Sequence, residues 1–219
     1  RELTRHLRER GAMRVGISST QLGPHPLLEQ VLASPKMAGA DLVGDVTTDR
    51  PQVVHAEGTR RFTVAAIDLG IKSMTPHRMA ERGMEVHVLP ATADWQDVLA
   101  TGADGLFFSN GPGDPATLTS SVELARRALE AELPVFGICL GNQVLGRALG
   151  FDTYKLKYGH RGSNLPVLDR ATGRVDITAH NHGFAVDAPR EGVTDTDYGQ
   201  VEVSHICLND DVVEGLRVT

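Results

Sequence analysis

The sequence predicts an α/β fold with a mostly parallel sheet and helices on both faces, preceded by the end of a smaller N-terminal domain. From Arg61 onward, short apolar runs alternate with helical patterns, which is typical of parallel strands joined by right-handed crossovers. A strand-like run over 134–138 leads directly into a glycine-framed cysteine and a helical pattern. With 219 residues, 41% of them hydrophobic, the chain can bury a full core in one large or two smaller domains.

Residues 1–60 show less regular patterning. Leu3 and Leu7 lie four apart among charges, which predicts an amphipathic helix over 1–13 that ends at Gly11. We expect a strand over 15–18 and a short helix over 26–32. Proline, glycine and Asp-rich turns fill 34–58. Residues 1–60 are therefore predicted to be the C-terminal part of an N-terminal domain plus a linker, and 61–219 a second domain.

The second domain begins with alternating strands and helices. Predicted strands cover 62–68, 85–89 and 105–109, and predicted helices cover 73–82, 94–100 and 117–132. The strand at 134–138 follows, with a helical pattern through Leu149. In such sheets ligands bind at the carboxyl ends of the strands, and Cys139 lies at such an end.

After Gly150 the pattern changes to short β runs. These cover 153–157, 165–168, 175–178, 184–186 and 201–208, and residues 215–218 begin a further run. His180 and His182 lie close together between two of these runs. No cysteine or carboxylate completes a ligand set at the usual spacing along the chain, so we predict no metal site.

The motif Gly-x-Cys-x-Gly predicts a nucleophile elbow with sulfur in place of oxygen. A sharp strand-to-helix turn leaves no room for a Cβ at Gly137 or Gly141. Cys139 would then stand at a helix N-terminus, where dipoles and free N–H groups favour the thiolate. The alternative is a buried structural cysteine, since free cysteines are often buried.

The loop over 110–115, Asn-Gly-Pro-Gly-Asp-Pro, follows the preceding strand. Its glycines allow the backbone to approach a ligand and to direct N–H groups at it. Next to an elbow, this loop is where a second oxyanion donor is expected, beside the N–H of Leu140. An ordinary turn remains the alternative, because these residue types are common in turns.

Composition excludes some classes of partner. The chain has 22 Lys plus Arg against 28 Asp plus Glu, a net charge of -6, which argues against nucleic acid or an anionic membrane as the main partner. It has two cysteines and neither a signal peptide nor a long apolar run, so we expect the cytoplasm. The chain starts without Met within a helical pattern and stops within a strand pattern, which predicts a fragment cut at both ends.

Four longer tracts resemble a known family. They are Ser-Asn-Gly-Pro-Gly-Asp-Pro, Gly-Ile-Cys-Leu-Gly-x-Gln, Lys-x-Lys-Tyr-Gly-His-Arg-Gly and Asn-His-Gly-Phe-Ala-Val. The elbow alone is similar to any class I glutamine amidotransferase, whose fold is flavodoxin-like. Together with Leu-Thr-Arg-His-Leu-Arg-Glu near the N-terminus, the tracts at 157–162 and 181–186 resemble the small-subunit family of carbamoyl phosphate synthetase, from about Leu3 through Thr219.

The resemblance implies a role for each matching residue. Cys139 would attack the side-chain amide of glutamine, giving a thioester and ammonia. The implied glutamine-binding positions are Gly111, Gly113, Leu140, Gln143, Asn181, Gly183 and Phe184, with the N–H groups of Gly111 and Leu140 serving the oxyanion. The implied partners are L-glutamine and a large synthetase subunit that uses ATP and Mg to make carbamoyl phosphate from bicarbonate, for arginine and pyrimidine biosynthesis. No cofactor is expected in this chain.

Two departures from the family pattern qualify that expectation. Asn142 stands where the family commonly has His. The family's base is a His two residues before a Glu, beyond the strand that 215–218 begins, and the sequence stops at Thr219. His55 has this spacing to Glu57, but we interpret it as coincidence. His182 and His205 are alternative bases.

Two other functions remain open at this point. One is another class I amidotransferase or a related cysteine hydrolase on the same fold. The other is a scaffold that keeps the fold without catalysis.

Overall fold

A computed structural model describes residues 1–19 and 23–219. The helices are α1 (Glu2–Arg10), α2 (Pro24–Ala33), α3 (Met74–Ala80), α4 (Trp95–Ala100), α5 (Thr119–Glu130) and α6 (Leu140–Ala148), with short 3-10 helices at Val43–Asp45 and Pro115–Thr117. The strands are β1 (Gln52–Val54), β2 (Phe62–Asp68), β3 (Met84–Pro90), β4 (Gly105–Phe108), β5 (Val135–Gly137), β6 (Asp152–Asp169), β7 (Arg174–Asp187), β8 (Thr194–Thr196), β9 (Gly199–Cys207) and β10 (Val213–Val218).

The first sheet has the strand order β1-β3-β2-β4-β5. Strands β3, β2, β4 and β5 are parallel, and β1 pairs antiparallel with β3 at the edge. Alternate residues of β2 and β4 face opposite sides of the sheet: Ile67 and Phe108 belong to a core that includes α5 and α6, whereas Ala66 and Phe107 pack with Met79 of α3. The predicted α/β fold with helices on both faces is thereby confirmed.

The second sheet is antiparallel, with the order β10-β9-β6-β7 and β8 paired to β9. Several predicted short runs merge here, because 153–157 and 165–168 belong to one long strand, β6, and 175–178 and 184–186 to another, β7. Register shifts within the β6–β7 pair separate these runs. The runs are thus correct as β structure but wrong as separate strands.

Residues 215–218 do form a strand, but not an extension of the parallel sheet. They belong to β10, which pairs antiparallel with β9. The open edge of the parallel sheet is β5, where the side chain of Phe136 is 63% exposed. Unpaired backbone groups and an exposed aromatic ring therefore lie together at this edge.

The N-terminal segment contacts both sheets. The N–H of Ala12 donates to Lys157 O, and the Tyr158 hydroxyl donates to Arg8 O. Val43 is buried in the core of the parallel sheet, and β1 joins its edge. The predicted strand over 15–18 is absent, and the short strand β1 was not predicted. The domain division after residue 60 stays a prediction.

Within the described ranges 1–19 and 23–219, no helix is long and apolar enough to cross a membrane.

Candidate active site

The nucleophile elbow forms between β5 and α6. Cys139 has φ 57° and ψ −108°, a backbone conformation that non-glycine residues rarely adopt. A Cβ at Gly141 would lie 2.1 Å from Phe108 O, and one at Gly137 would lie 2.4 Å from the backbone of Gly141. Both glycines are therefore required by close backbone approach, as the sequence predicts.

The loop after β4 brings a second backbone segment to the cysteine. The N–H groups of Gly111 and Leu140 both act on the Cys139 sulfur as backbone donors that lower the pKa of its thiol. A Cβ at Gly111 would lie 1.9 Å from Leu69 O, so only glycine fits there. Gly113 has φ +101°, which also favours glycine. When this sulfur attacks a carbonyl carbon, the carbonyl oxygen becomes negative, and two backbone donors are available beside the sulfur to stabilise that charge.

All eight predicted site residues line one cavity of about 660 Å³, which we call the Cys139 cavity. These residues are Gly111, Gly113, Cys139, Leu140, Gln143, Asn181, Gly183 and Phe184. The carboxyl ends of β4 and β5 and the middle of β7 supply them. The buried Gln143 side chain donates from Nε2 to Phe184 O at 2.7 Å, which ties α6 to β7. The structure brings the predicted residues together, and their binding roles stay predictions.

The Cys139 thiol is partly buried at the wall of this cavity. Burial raises its pKa, and the charge of Glu214 acts in the same direction. The N–H groups of Leu140 and Gly111 and the charge of Lys72 lower the pKa without cancelling that rise. The backbone N–H groups do favour the thiolate, as expected, but the net pKa of the thiol is raised and not lowered. The reason is that desolvation of the charged sulfur is the larger contribution.

Three cationic side chains that the sequence analysis did not single out also line the cavity: Lys72, Lys155 and Arg161. A Cβ at Gly183 would lie 3.4 Å from both Nη2 of Arg161 and Nζ of Lys155, so the two cations meet beside a residue without a side chain. Burial and the neighbouring Arg161 charge lower the pKa of Lys155. Arg161 lies in the tract 157–162 and Lys155 lies just before it. The resemblance of that tract to a known family was the sequence signal that could have identified them.

The alternative bases do not point at the sulfur. In the described part of the chain, the side-chain hydrogen bond of Cys139 Sγ goes to Asn181 O, at 3.8 Å. His182 uses both ring nitrogens elsewhere, with Nδ1 2.9 Å from Phe184 O and Nε2 3.2 Å from Glu214. His205 contacts Ser204 Oγ. His55 pairs with Glu85 at an exposed position on the far edge of the sheet.

Beside the Cys139 cavity lies a cluster of three histidines and a glutamate, which we call the histidine cluster: His160, His180, His182 and Glu214. Their side chains are only 8–13% exposed. The carboxylate that the sequence lacks at ligand spacing is supplied in space by β10. A smaller cavity of about 160 Å³ connects the cluster with Cys139. The cluster therefore has no signal in the spacing along the chain, and the predicted absence of a metal site stays a prediction.

Known proteins resemble the whole chain. The carbamoyl phosphate synthase small chain of Streptomyces avermitilis is 64% identical over all of this chain, which covers 58% of that protein. The small chain of Bifidobacterium longum is 52% identical over 99% of this chain, which covers 58% of that protein. The chain thus spans less than two thirds of the length of the curated relatives it matches.

A solved structure and a family model define the fold and the family. The crystal structure of a Thermoplasma acidophilum protein, whose name relates it to GMP synthase, has a TM-score of 0.56 at 17% identity, covering 74% of this chain and 80% of that one. At this identity the likeness shows the fold. Residues 65–219 match the model of glutamine amidotransferase class-I proteins. The chain belongs to the class I glutamine amidotransferase family.

Proposed function

We propose that the chain is a glutaminase that releases ammonia from L-glutamine through a thioester on Cys139. One observation carries this proposal: backbone N–H groups from two separate segments, at Gly111 and Leu140, both lower the pKa of the Cys139 thiol, which lines a cavity large enough for an amino acid. A binding site for an unreactive ligand needs no pair of donors at a sulfur. Each such donor contributes about 3 kcal/mol to an acyl-transfer transition state in a protease.

The chemistry follows from the weakness of an amide as an electrophile. After losing its proton, the sulfur attacks the carbonyl carbon of the glutamine side chain. The carbonyl oxygen then becomes negative and accepts hydrogen bonds from the two N–H groups. The C–N bond then breaks, and the nitrogen leaves as ammonia after gaining a proton. Water hydrolyses the remaining thioester to glutamate and restores the thiol. The attack needs a base because the pKa of the resting thiol is raised, and the hydrolysis needs a base to accept a proton from the attacking water.

The cavity also has groups suited to the rest of the substrate. We assign the α-carboxylate of glutamine to Arg161 and Lys155, which approach each other beside Gly183. A guanidinium binds a carboxylate with two parallel hydrogen bonds. Gly113, Gln143, Asn181 and Phe184 would then enclose the substrate on its other sides.

The wider role we propose follows the relatives' names. Streptomyces avermitilis carbamoyl phosphate synthase small chain is 64% identical, which supports an ammonia-donating role in that enzyme. The partner would be a large synthetase subunit, with ATP and Mg used there rather than in this chain. The product would enter arginine and pyrimidine biosynthesis in the cytoplasm.

A second candidate is a glutamine-binding scaffold without turnover. It is favoured by the surroundings of Cys139 Sγ. Among the described residues, this sulfur donates its hydrogen bond to the carbonyl oxygen of Asn181 and not to a base. Where a triad works as a unit, lack of the base can cost about as much as lack of the nucleophile, up to roughly 10⁶-fold in one protease. We therefore expect the 219-residue chain to bind glutamine but to hydrolyse it slowly.

The test measures ammonia release and glutamine binding by the same preparations. The chain is compared with Cys139→Ala, with Cys207→Ala as the matched control, and with the intact small chain of Streptomyces avermitilis. We expect slow release that is lost in Cys139→Ala, retained in Cys207→Ala and far below that of the intact relative. Glutamine binding with no release that depends on Cys139 would favour the scaffold. Absence of glutamine binding would contradict both candidates.

A further inference from the structure

The histidine cluster has a hydrogen-bond pattern that the glutaminase chemistry does not use. His160 and His182 lie opposite each other on β6 and β7, and His180 shares a face of β7 with His182 because strand side chains alternate. Glu214 reaches the same point from β10. Two consecutive strands and the distant β10 thus direct four ligating side chains to one buried position.

The outer nitrogen of each imidazole donates to an oxygen. His160 Nε2 lies 2.8 Å from Asp210 Oδ2, and His182 Nδ1 lies 2.9 Å from Phe184 O. His180 Nε2 lies 2.7 Å from Thr178 Oγ1, whose own hydrogen goes to Leu165 O. A carboxylate and a carbonyl oxygen only accept, so the outer nitrogens of His160 and His182 donate. With its hydrogen directed to Leu165 O, the Thr178 hydroxyl accepts from His180 Nε2.

The inner nitrogens face one another and the carboxylate of Glu214. His180 Nδ1 lies 3.3 Å from both His160 Nδ1 and His182 Nε2. Glu214 Oε1 lies 2.8 Å from His160 Nδ1 and 3.4 Å from His180 Nδ1, and Oε2 lies 3.2 Å from His182 Nε2. When none of these inner nitrogens carries a proton, they and the carboxylate are acceptors that face acceptors in a buried site, and a metal cation between them removes the repulsion.

The distances fit a tetrahedral ion. Bonds of 2.0–2.1 Å from zinc to nitrogen or oxygen place neighbouring ligand atoms about 3.3 Å apart. Of the four separations given above among the three inner nitrogens and Glu214 Oε1, three are 3.3–3.4 Å and one is 2.8 Å. Nitrogen ligands disfavour Mg²⁺ and Ca²⁺, which prefer oxygen. Outer N–H groups held by a carboxylate, a carbonyl and a hydroxyl are the usual second layer around zinc-bound histidines.

We propose that His160, His180, His182 and Glu214 bind a divalent zinc-like ion in a closed, four-ligand site. The charges balance, since an ion of charge +2 meets the carboxylates of Glu214 and, behind His160, Asp210. With all four positions filled by protein, the ion has no open position for a substrate and serves a structural role. It fastens β10 to β6 and β7 and fixes His182, which itself lines the Cys139 cavity between Asn181 and Gly183.

The test uses the tag-free chain, stripped with a chelator and titrated with Co²⁺ alone and then with Zn²⁺. We expect one ion per chain, the intense visible absorption of four-coordinate cobalt, its loss when zinc displaces cobalt, and a higher melting temperature with zinc. His180→Gln and Glu214→Gln should abolish the cobalt band. Asp210→Asn, which alters only the outer layer, should weaken zinc binding about 10–100-fold.

The matched control is His77→Gln, an exposed histidine on α3 outside the cluster, which should bind the ion as the parent chain does. Circular dichroism of each metal-free variant separates loss of a ligand from loss of the fold. If a ligand variant does not fold, Asp210→Asn still tests the site, because Asp210 is half-exposed and its substitution should not disturb the fold. Absence of a cobalt band in the parent chain would overturn the proposal. So would unchanged binding in folded His180→Gln, Glu214→Gln or Asp210→Asn.

Discussion

The Cys139 cavity and the histidine cluster are neighbours, yet they are built in different ways. At Cys139 the important groups are backbone N–H groups, which a strand-turn-helix and a glycine loop place by local conformation. In the histidine cluster they are side chains, which meet only because β6 pairs with β7 and β10 pairs with β9 in the same sheet. The first region depends on the absence of side chains, and the second depends on the presence of four particular ones.

This difference determines what each region tolerates. A backbone site survives changes in nearby side chains but not a Cβ at a close contact. A side-chain site survives small backbone changes but no longer binds its ion when one of the ligating side chains is removed. His160 and Arg161 show how closely the two regions adjoin, because these neighbours on β6 face the histidine cluster and the Cys139 cavity, respectively.

The largest effect should come from adding one methyl group to the elbow. In Gly141→Ala the new Cβ would meet Phe108 O at 2.1 Å, and a backbone atom cannot move aside as a flexible side chain can. We expect a loss of about 3 kcal/mol in the free energy of unfolding, at the upper end of overpacking costs. Urea unfolding measures it. Gly44→Ala, where no atom lies within 4 Å of the new Cβ, is the control, and equal stability of the two variants would contradict the elbow geometry.

A smaller effect should separate the two faces of β6. Arg161→Gln removes a cation from the Cys139 cavity, and since Arg161 is exposed, we expect the dissociation constant of glutamine to rise about tenfold, near the lower limit for a charged hydrogen bond. Isothermal titration calorimetry with glutamine gives the value. Arg174→Gln, exposed on β7 and paired with Asp176, should bind glutamine as the parent does. Unchanged affinity in Arg161→Gln would remove this residue from the site.

The smallest effect concerns the protonation of Cys139. Because burial raises the pKa of this thiol, the thiolate fraction at neutral pH is below that of an ordinary cysteine. The rate of alkylation, measured against pH, should therefore keep rising beyond the ordinary thiol range, with glutathione as the reference. A plateau near neutral pH would mean that the helix N-terminus and the backbone donors outweigh burial.

The sequence predicted the Cys139 cavity well because its signals are local. Gly137 and Gly141 flank the cysteine within five residues, and the alternation of strands and helices fixes which strand ends meet. Lys72 was not predicted to line the cavity, because a lone lysine after a strand has the same pattern as a solvated one. The sign of the thiol pKa was also wrong, since burial depends on packing from β7.

The histidine cluster could not be predicted from spacing along the chain. Glu214 is 32 residues beyond His182, and only the antiparallel pairing of β10 with β9 brings it back to β7. The alternating runs did predict β structure, but the merger of short runs into β6 and β7 depends on irregular register between Lys155 and His160. Long-range pairing of this kind has no short-range signal.

Alkylation of Cys139 in the presence and absence of glutamine tests the central claim most directly. Iodoacetamide labelling of the folded chain is followed at each cysteine by peptide mass spectrometry. Cys139 is partly exposed in the cavity and Cys207 is fully buried, so Cys139 should react first, and glutamine should slow its reaction while leaving Cys207 unaffected. Equal labelling of both cysteines, or no protection of Cys139 at saturating glutamine, would contradict the account.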